Sequence, residues 1–460
     1  MSVAFSLLRP FQQKGVEFLR NRRFAYLADE MGLGKTAQLA TAAAGHKRIL
    51  TISPAVAVPQ WRAALQRFAT PCLTSYDGQP CSMPVISSLS YNALQRSDTL
   101  SRTRSERWDI LIVDEAHNLQ STTSARSKHV LGEAGLVHSA EKVWFASGTP
   151  APRGDPRQLW PILFVTGQTR LDFRSFTATF CDLKHSIRKY GSRSFEHEEL
   201  IGVKNKDELN AMLAPFMLRR TAKDVMPELP PIAVETVPLE VEDVSTEWLC
   251  RHFPDRIDSD TDALVSMFKL GEAMLVDALK QPGGFEPVMD ALLQRYEVKS
   301  ILHLLGLQKA KAVAPLVVEE LARGEYQRIG LICVHRSAAE ELYKAINDAG
   351  MAAAIISGDV PVARRHEQVQ RFRAGRIRAI ILQIHAAGTA LDGLQCCNRV
   401  GLIEKTWIPG LNEQAIKRFH RFGSDRPVFV RDFYAAGTID ARLNSVLSRR
   451  IGFNDALFGY

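Results

Sequence analysis

The run FAYLADEMGLGKTAQLATAAA, residues 24–44, constrains the fold more than any other part of the chain. Phe24–Ala28 is an apolar segment of strand length, and the alanine-rich stretch after Thr36 is a strong helix former. Gly32 and Gly34 lie between them, directly before Lys35 and Thr36. A strand, a glycine-containing loop and a helix in immediate succession are the parts of an α/β phosphate cradle. The glycines let backbone N–H groups approach a phosphate, and the helix N-terminus adds partial positive charge. Lys35 is then placed for the β- and γ-phosphates of ATP and the Thr36 hydroxyl for Mg²⁺. Asp29 stands where the full G-x-x-x-x-G-K-[ST] pattern has its first glycine.

Two later segments have the same strand-then-loop form. In RWDILIVDEAHNLQ, residues 107–120, the apolar run Ile110–Val113 reads as a buried parallel strand with acidic residues where it ends. Ligands of open α/β sheets gather at the carboxyl ends of strands. Asp114 is therefore expected to hold Mg²⁺ and Glu115 to orient and deprotonate the attacking water, with His117 linking this loop to the next. In KVWFASGTPAP, residues 142–152, Ser147 and Thr149 sit on a turn enforced by Gly148 and Pro150. Such a loop can sense the γ-phosphate region and transmit the change.

The chain of 460 residues carries 58 Lys+Arg against 50 Asp+Glu, a formal charge of +8, with pI about 9.1. That balance suits a polyanionic partner. The seven cysteines include no C-x-x-C pair, which argues against a zinc ribbon or a disulfide framework. Cys396–Cys397 reads as two buried small residues, and a reducing compartment fits. No apolar run reaches the ~18 residues of a membrane span, and the N-terminus lacks a basic signal-peptide region. A cytoplasmic protein is expected.

From about residue 300 strands and helices alternate again, through GLICVHRS, AAAIISGDV, RRHEQVQRFRAG and IRAIILQIHAAGTALDGLQ, without a second G-K-T. That alternation implies a second parallel-sheet lobe.

Taken together, these segments resemble superfamily 2 helicases, and more narrowly the SWI/SNF-type DNA translocases. LRPFQQKGVEFL, LADEMGLGKTAQ, ILTISPAVAVPQW and MLRRTAKDVMPELPP resemble successive motifs of that family's first lobe, with Pro54 and Trp61 in place. KTWIPGLNEQAIKRFHRFG resembles its last motif. The compact annealing-helicase (HARP-like) branch and its phage and bacterial relatives are the most similar. The resemblance implies an α/β fold of two RecA-like lobes, parallel sheets flanked by helices, with helical insertions. It implies ATP and Mg²⁺ as ligands and duplex or branched DNA as a sequence-independent partner, with other replication or repair proteins as further partners and a monomeric state.

Residue by residue, the resemblance gives Gln12 to adenine. Gly388, Thr389 and Asp392 match a loop that touches both DNA and nucleotide. Arg418 and Arg421 become arginine fingers, and Gln414 and His420 fall at coupling positions. Ala390 and Ser424 depart from the usual residues of the pattern.

The implied organisation is a first lobe at residues 1–225, with a helical insertion at about 166–218, and a linker with a second-lobe protrusion at 226–300. The second lobe follows at 301–445, and a C-terminal helix and tail at 446–460. Lys184, His185, Arg188, Lys189 and Arg193 of the insertion are either phosphate contacts or the solvated face of a helix–turn–helix. The functional expectation is a DNA-stimulated ATP hydrolase that translocates on or remodels DNA. The alternative is a nucleic-acid-dependent ATP switch, or an RNA-directed helicase, without processive motion.

Overall fold

In the computed structural model the described residues are 3–69, 85–190, 193–241, 296–384, 393–421 and 423–435, with scattered helical residues from 440 onward. Two six-stranded sheets organise them. The first contains β1 (Phe24–Leu27), β2 (Arg48–Ser53), β3 (Val85–Ser90), β4 (Trp108–Asp114), β5 (Ala140–Ala146) and the short β8 (Met217–Leu218), in the order β3-β2-β4-β5-β1-β8. Every pairing in it is parallel.

Period-two alternation explains why its strands read as unbroken apolar runs. Leu50, Ile52, Leu111, Val113 and Phe145 enter the core on one face. Ile49, Ile110, Ile112, Trp144 and Ala146 enter the core on the other. A sheet covered on both faces needs apolar side chains at odd and even positions alike.

The second sheet has the order β11-β12-β10-β13-β14-β9, again all parallel. Here β10 is Ile329–Cys333, β11 Ala353–Ile356, β12 Ala379–Gln383, β13 Arg399–Leu402 and β14 Val428–Ala435. The sixth strand, β9 (Ile232–Leu239), comes from the segment expected to be a linker. It pairs with β14 over its whole length, from Val428 opposite Ile232 to Ala435 opposite Leu239. The second sheet therefore begins some 70 residues before the boundary expected at 301. Residues 242–295, the rest of the expected protrusion, lie outside the described residues.

The insertion after residue 166 is helical only in part. Phe173–Phe180 and Lys206–Leu213 are helices, but β6 (Cys181–Tyr190) and β7 (Arg193–Val203) form an antiparallel hairpin between them. The alternation in RSFEHEELIGV and the Gly-Ser pair at 191–192 carry that signal in the sequence. The helical expectation for this stretch is corrected accordingly.

The expected terminal segment 446–460 is helical where it is described: Leu447 is buried, and Phe458 packs against the first-lobe core. Of the adjacent cysteines only Cys397 is buried; Cys396 is exposed, contrary to the expectation for the pair. Among the described residues no helix is long and apolar enough to cross a membrane.

Candidate active site between the two lobes

The order β4-β5-β1 places the carboxyl ends of three adjacent strands side by side. From these ends spring the loop before Lys35, the Asp114–His117 turn and the Ser147–Thr149 turn. They form one wall of a cleft of about 650 Å³, lined by Gly32, Gly34, Lys35, Thr36, Asp114 and Glu115. The opposite wall carries Gln414, Arg418 and Arg421 of the second lobe.

Lys35 opens the helix Lys35–Ala42, whose N-cap is Gly34 in the left-handed conformation at φ 74°. No side chain caps this helix, so its first N–H groups face the cleft without an internal acceptor. A side chain on Gly34 would be strained, and its Cβ would stand 2.4 Å from Gln12 Nε2. The Lys35 ammonium donates to the backbone carbonyls of Asp29 (2.8 Å) and Glu30 (3.2 Å). Burial lowers its pKa against the pull of Glu115 and Asp29. An uncapped helix N-terminus, a half-buried lysine whose ammonium rests on backbone carbonyls, and a carboxylate and a threonine hydroxyl lining one cleft match the needs of a nucleoside triphosphate with Mg²⁺.

Asp114 accepts from Trp61 Nε1 at 2.8 Å and from the Glu115 backbone N–H at 3.0 Å. Tyr91 fixes the same turn by donating to the Asp114 carbonyl at 2.7 Å. Both carboxylates sit at the floor of the cleft, partly open to it but deep within the protein. Burial, and then the Glu115 charge, push Asp114 up to about 6. Burial also acts to raise Glu115, but His117, Lys35 and Arg418 outweigh it and hold Glu115 down at about 2. His117 Nδ1 lies 3.2 Å from Glu115 and 2.8 Å from Ser147 Oγ, which in turn accepts from the Thr149 N–H at 3.1 Å. The Asp114–His117 and Ser147–Thr149 loops are thus joined by hydrogen bonds.

Direct contacts bridge the cleft. Gln414 Nε2 donates to Glu115 Oε1 at 3.3 Å. Lys417 pairs with Glu30, and the Thr149 methyl packs against Gly410. Arg418 is buried, and the Arg421 stem passes over Gly32. Ser424 accepts from the Arg421 N–H at 3.1 Å and closes the turn that presents that arginine.

Gln12 lies against the Gly32–Gly34 loop, with its amide beside Gly34, accepting from the Arg9 N–H and donating to the Leu33 carbonyl, each at 3.1 Å. His420 meets the Pro230 carbonyl rather than the cleft. Gly388, Thr389, Ala390 and Asp392 fall outside the described residues. In the hairpin the register sets Lys184 opposite Glu199 and His185 opposite Glu198. For Arg188, Lys189 and Arg193 the structure gives backbone pairing only.

The network around Asp29 was not anticipated from the sequence. Asp29 is fully buried and accepts from Arg220 Nε at 2.9 Å and from Gln38 Nε2 at 3.0 Å. Arg220 also donates to Gln38 Oε1 at 2.9 Å and to the Phe11 carbonyl. Arg219 reaches the carbonyls of Ala28 (3.2 Å) and Gly148 (3.4 Å). A carboxylate at the missing first-glycine position demands a cation when buried. Arg220, at the end of the first lobe and far off in sequence, supplies it.

Comparison with known proteins places these features among relatives. A family model described as the SNF2-related domain matches residues 11–276, and one described as the helicase conserved C-terminal domain matches residues 309–423. The DNA annealing helicase and endonuclease ZRANB3 of Mus musculus is 26% identical over 459 residues, covering 96% of this chain and 40% of that protein. The SWI/SNF-related matrix-associated actin-dependent regulator of chromatin subfamily A-like protein 1 of Xenopus tropicalis is 25% identical over 463 residues, covering 97% and 44% respectively. The chain thus spans less than half the length of these relatives. A solved Sulfolobus solfataricus SWI2/SNF2 ATPase core in complex with dsDNA is 22% identical, with 98% of this chain and 93% of that chain covered, at a TM-score of 0.40.

Proposed function

The chain belongs to the SNF2-related family, with a helicase C-terminal domain following the first, and from that premise we propose that it is an ATP-dependent translocase or remodelling helicase on duplex or branched DNA. The observation that carries this reading is the contact between Gln414 and Glu115, because it brings the second lobe onto the group proposed to activate water.

In this reading the Gly32–Gly34 loop and Lys35 bind the β- and γ-phosphates. Thr36 and Asp114 hold Mg²⁺, which supplies charge neutralisation on the phosphates when bound. Glu115, ionised at neutral pH, orients and deprotonates the attacking water. Arg418 and Arg421 stabilise charge on the transferring phosphoryl group, an effect worth ~10³–10⁵ in rate for arginine fingers. Loss of the γ-phosphate is sensed through His117, Ser147 and Thr149, and Thr149 abuts Gly410 of the second lobe. Hydrolysis is thereby tied to the relation between the lobes. The excess positive charge suits phosphate contacts, which carry no base information.

Two measurements test the proposal. The first is ATP hydrolysis by the purified chain with duplex DNA, single-stranded DNA, branched DNA and RNA. The second is displacement of a triplex-forming strand from a duplex. Duplex-stimulated hydrolysis with displacement is expected. Strong stimulation without displacement would leave the ATP switch, and stimulation by RNA alone would move the assignment to an RNA-directed helicase.

A further inference from the structure

A second polar cavity, of about 740 Å³, opens on the second lobe away from the strand ends that build the cleft. Its walls precede β10, β13 and β14, so it lies at the amino-terminal edge of that sheet. Arg328, Arg373, Arg399 and Arg426 line it, with Gln395 and Asn398. Glu325 and Asp425 are its acidic lining, so the groove carries four positive charges against two negative ones.

Arg328 has a structural task, donating to the carbonyls of Phe372 (3.2 Å) and Arg373 (3.0 Å) at the end of the helix Val362–Arg373. The other three arginines are differently placed. The Arg399 guanidinium lies 4.3 Å from the centre of the Phe429 ring, which holds its plane in a fixed orientation. The Arg373 stem crosses Gly393, whose φ of 116° and lack of a side chain leave room for it. Arg426 is exposed, with Asp425 at 3.8 Å. Among the described residues no carboxylate lies within ion-pair distance of Arg373 or Arg399. Arg371 and Arg376, both exposed, extend the positive surface beyond the groove. This spread exceeds what one small anion needs and suits a chain of regularly spaced phosphates. Gln395 lines both this groove and the nucleotide cleft, so the two are neighbours.

We propose that this arginine groove binds a segment of nucleic-acid phosphate backbone separate from the one along which the chain moves, so that branched DNA is held by two of its arms. The inference rests on the DNA reading given above and adds a substrate preference to it.

The test compares the full chain with the Arg373→Glu/Arg426→Glu variant. Binding of a fluorescent fork and of a linear duplex of equal length is followed by anisotropy across a salt series, without ATP. The variant is expected to bind the fork about 10-fold more weakly near 0.15 M salt. Its slope of log affinity against log salt should be smaller by about 2, one phosphate contact per arginine. Linear duplex binding and duplex-stimulated hydrolysis should stay within about 2-fold, which also reports an intact fold. An Arg373→Gln/Arg426→Gln variant should fall between the two. Unchanged fork binding overturns the proposal, as does equal loss on fork and linear duplex. A labelled polyglutamate peptide bound by the wild type and lost in the variant, with fork binding retained, would reassign the groove to an acidic peptide. Failure of DNA to stimulate wild-type hydrolysis would instead overturn the broader reading, and it is measured separately.

Discussion

Glu115 combines three features that a solvated loop acid would lack. Its backbone is left-handed at φ 48°, a conformation costing a non-glycine residue ~1–2 kcal/mol. Its carboxylate is held low by His117, Lys35 and Arg418, and Gln414 reaches it from the other lobe. Such strain persists where the surroundings over-determine it. The Glu115→Gln variant should keep its affinity for a fluorescent ATP analogue within about 3-fold and lose ~10²–10⁴ in turnover, the usual worth of a general base. Near-normal steady-state hydrolysis would remove Glu115 from the role. Asp114 makes a different prediction. Its pKa near 6 leaves it protonated below that pH, and a proton competes with a metal for a carboxylate. The Mg²⁺ concentration giving half-maximal hydrolysis should therefore rise as pH falls through about 6. A flat Mg²⁺ requirement between pH 5 and 7 would contradict that assignment. At this scale the acidic pair and the glycine loop were legible because their chemistry is local. The Asp29–Arg220–Gln38 network was not, because it joins residues nearly two hundred positions apart.

At the scale of elements, the helix Pro409–Ile416 and the turn after it carry one wall of the site. Lys417 ends that helix on Glu30, while Glu30 also accepts from the Ala222 N–H at the end of the first lobe. The pair therefore sets where the neighbouring Arg418 and Arg421 stand. Lys417→Met and Glu30→Gln should each lower DNA-stimulated turnover, and the double variant should be no worse than the more impaired single one. Such non-additivity marks a shared interaction, whereas strictly additive losses would show that the two side chains act independently. Arg421→Ala should cost hydrolysis ~10³-fold or more while duplex affinity changes less than about 3-fold. Equal losses in both assays would make Arg421 a DNA contact. The parallel strands were legible as apolar runs, and their loops as turn chemistry. The hairpin β6–β7 is hard to read from the sequence because its basic and aromatic residues at mixed spacing also suit a helix. The strand β9 was missed because a proline-rich segment reads as a linker, although an edge strand tolerates proline.

At the scale of the molecule, the cleft is assembled from halves almost four hundred residues apart in sequence. Either half alone presents an incomplete set: the first lobe has the proposed phosphate cradle and the acids, the second the arginines. If DNA and ATP both favour the arrangement in which Gln414 touches Glu115, each must raise the affinity for the other. Thermodynamic linkage then requires the two enhancements to be equal, since both measure the same coupling free energy. A non-hydrolysable ATP analogue should tighten duplex binding, and duplex DNA should tighten analogue binding by the same factor, with coupling of ~5–150-fold as the usual range. The Gln414→Ala and Lys417→Met variants should shrink both factors together while leaving analogue binding without DNA nearly unchanged, because neither side chain belongs to the phosphate cradle. Anisotropy titrations of DNA and of a fluorescent nucleotide, each with and without the other ligand, measure the two factors. Tightening that survives both variants would place the coupling outside this cleft, and no tightening in the wild type would mean that the lobes bind their ligands independently.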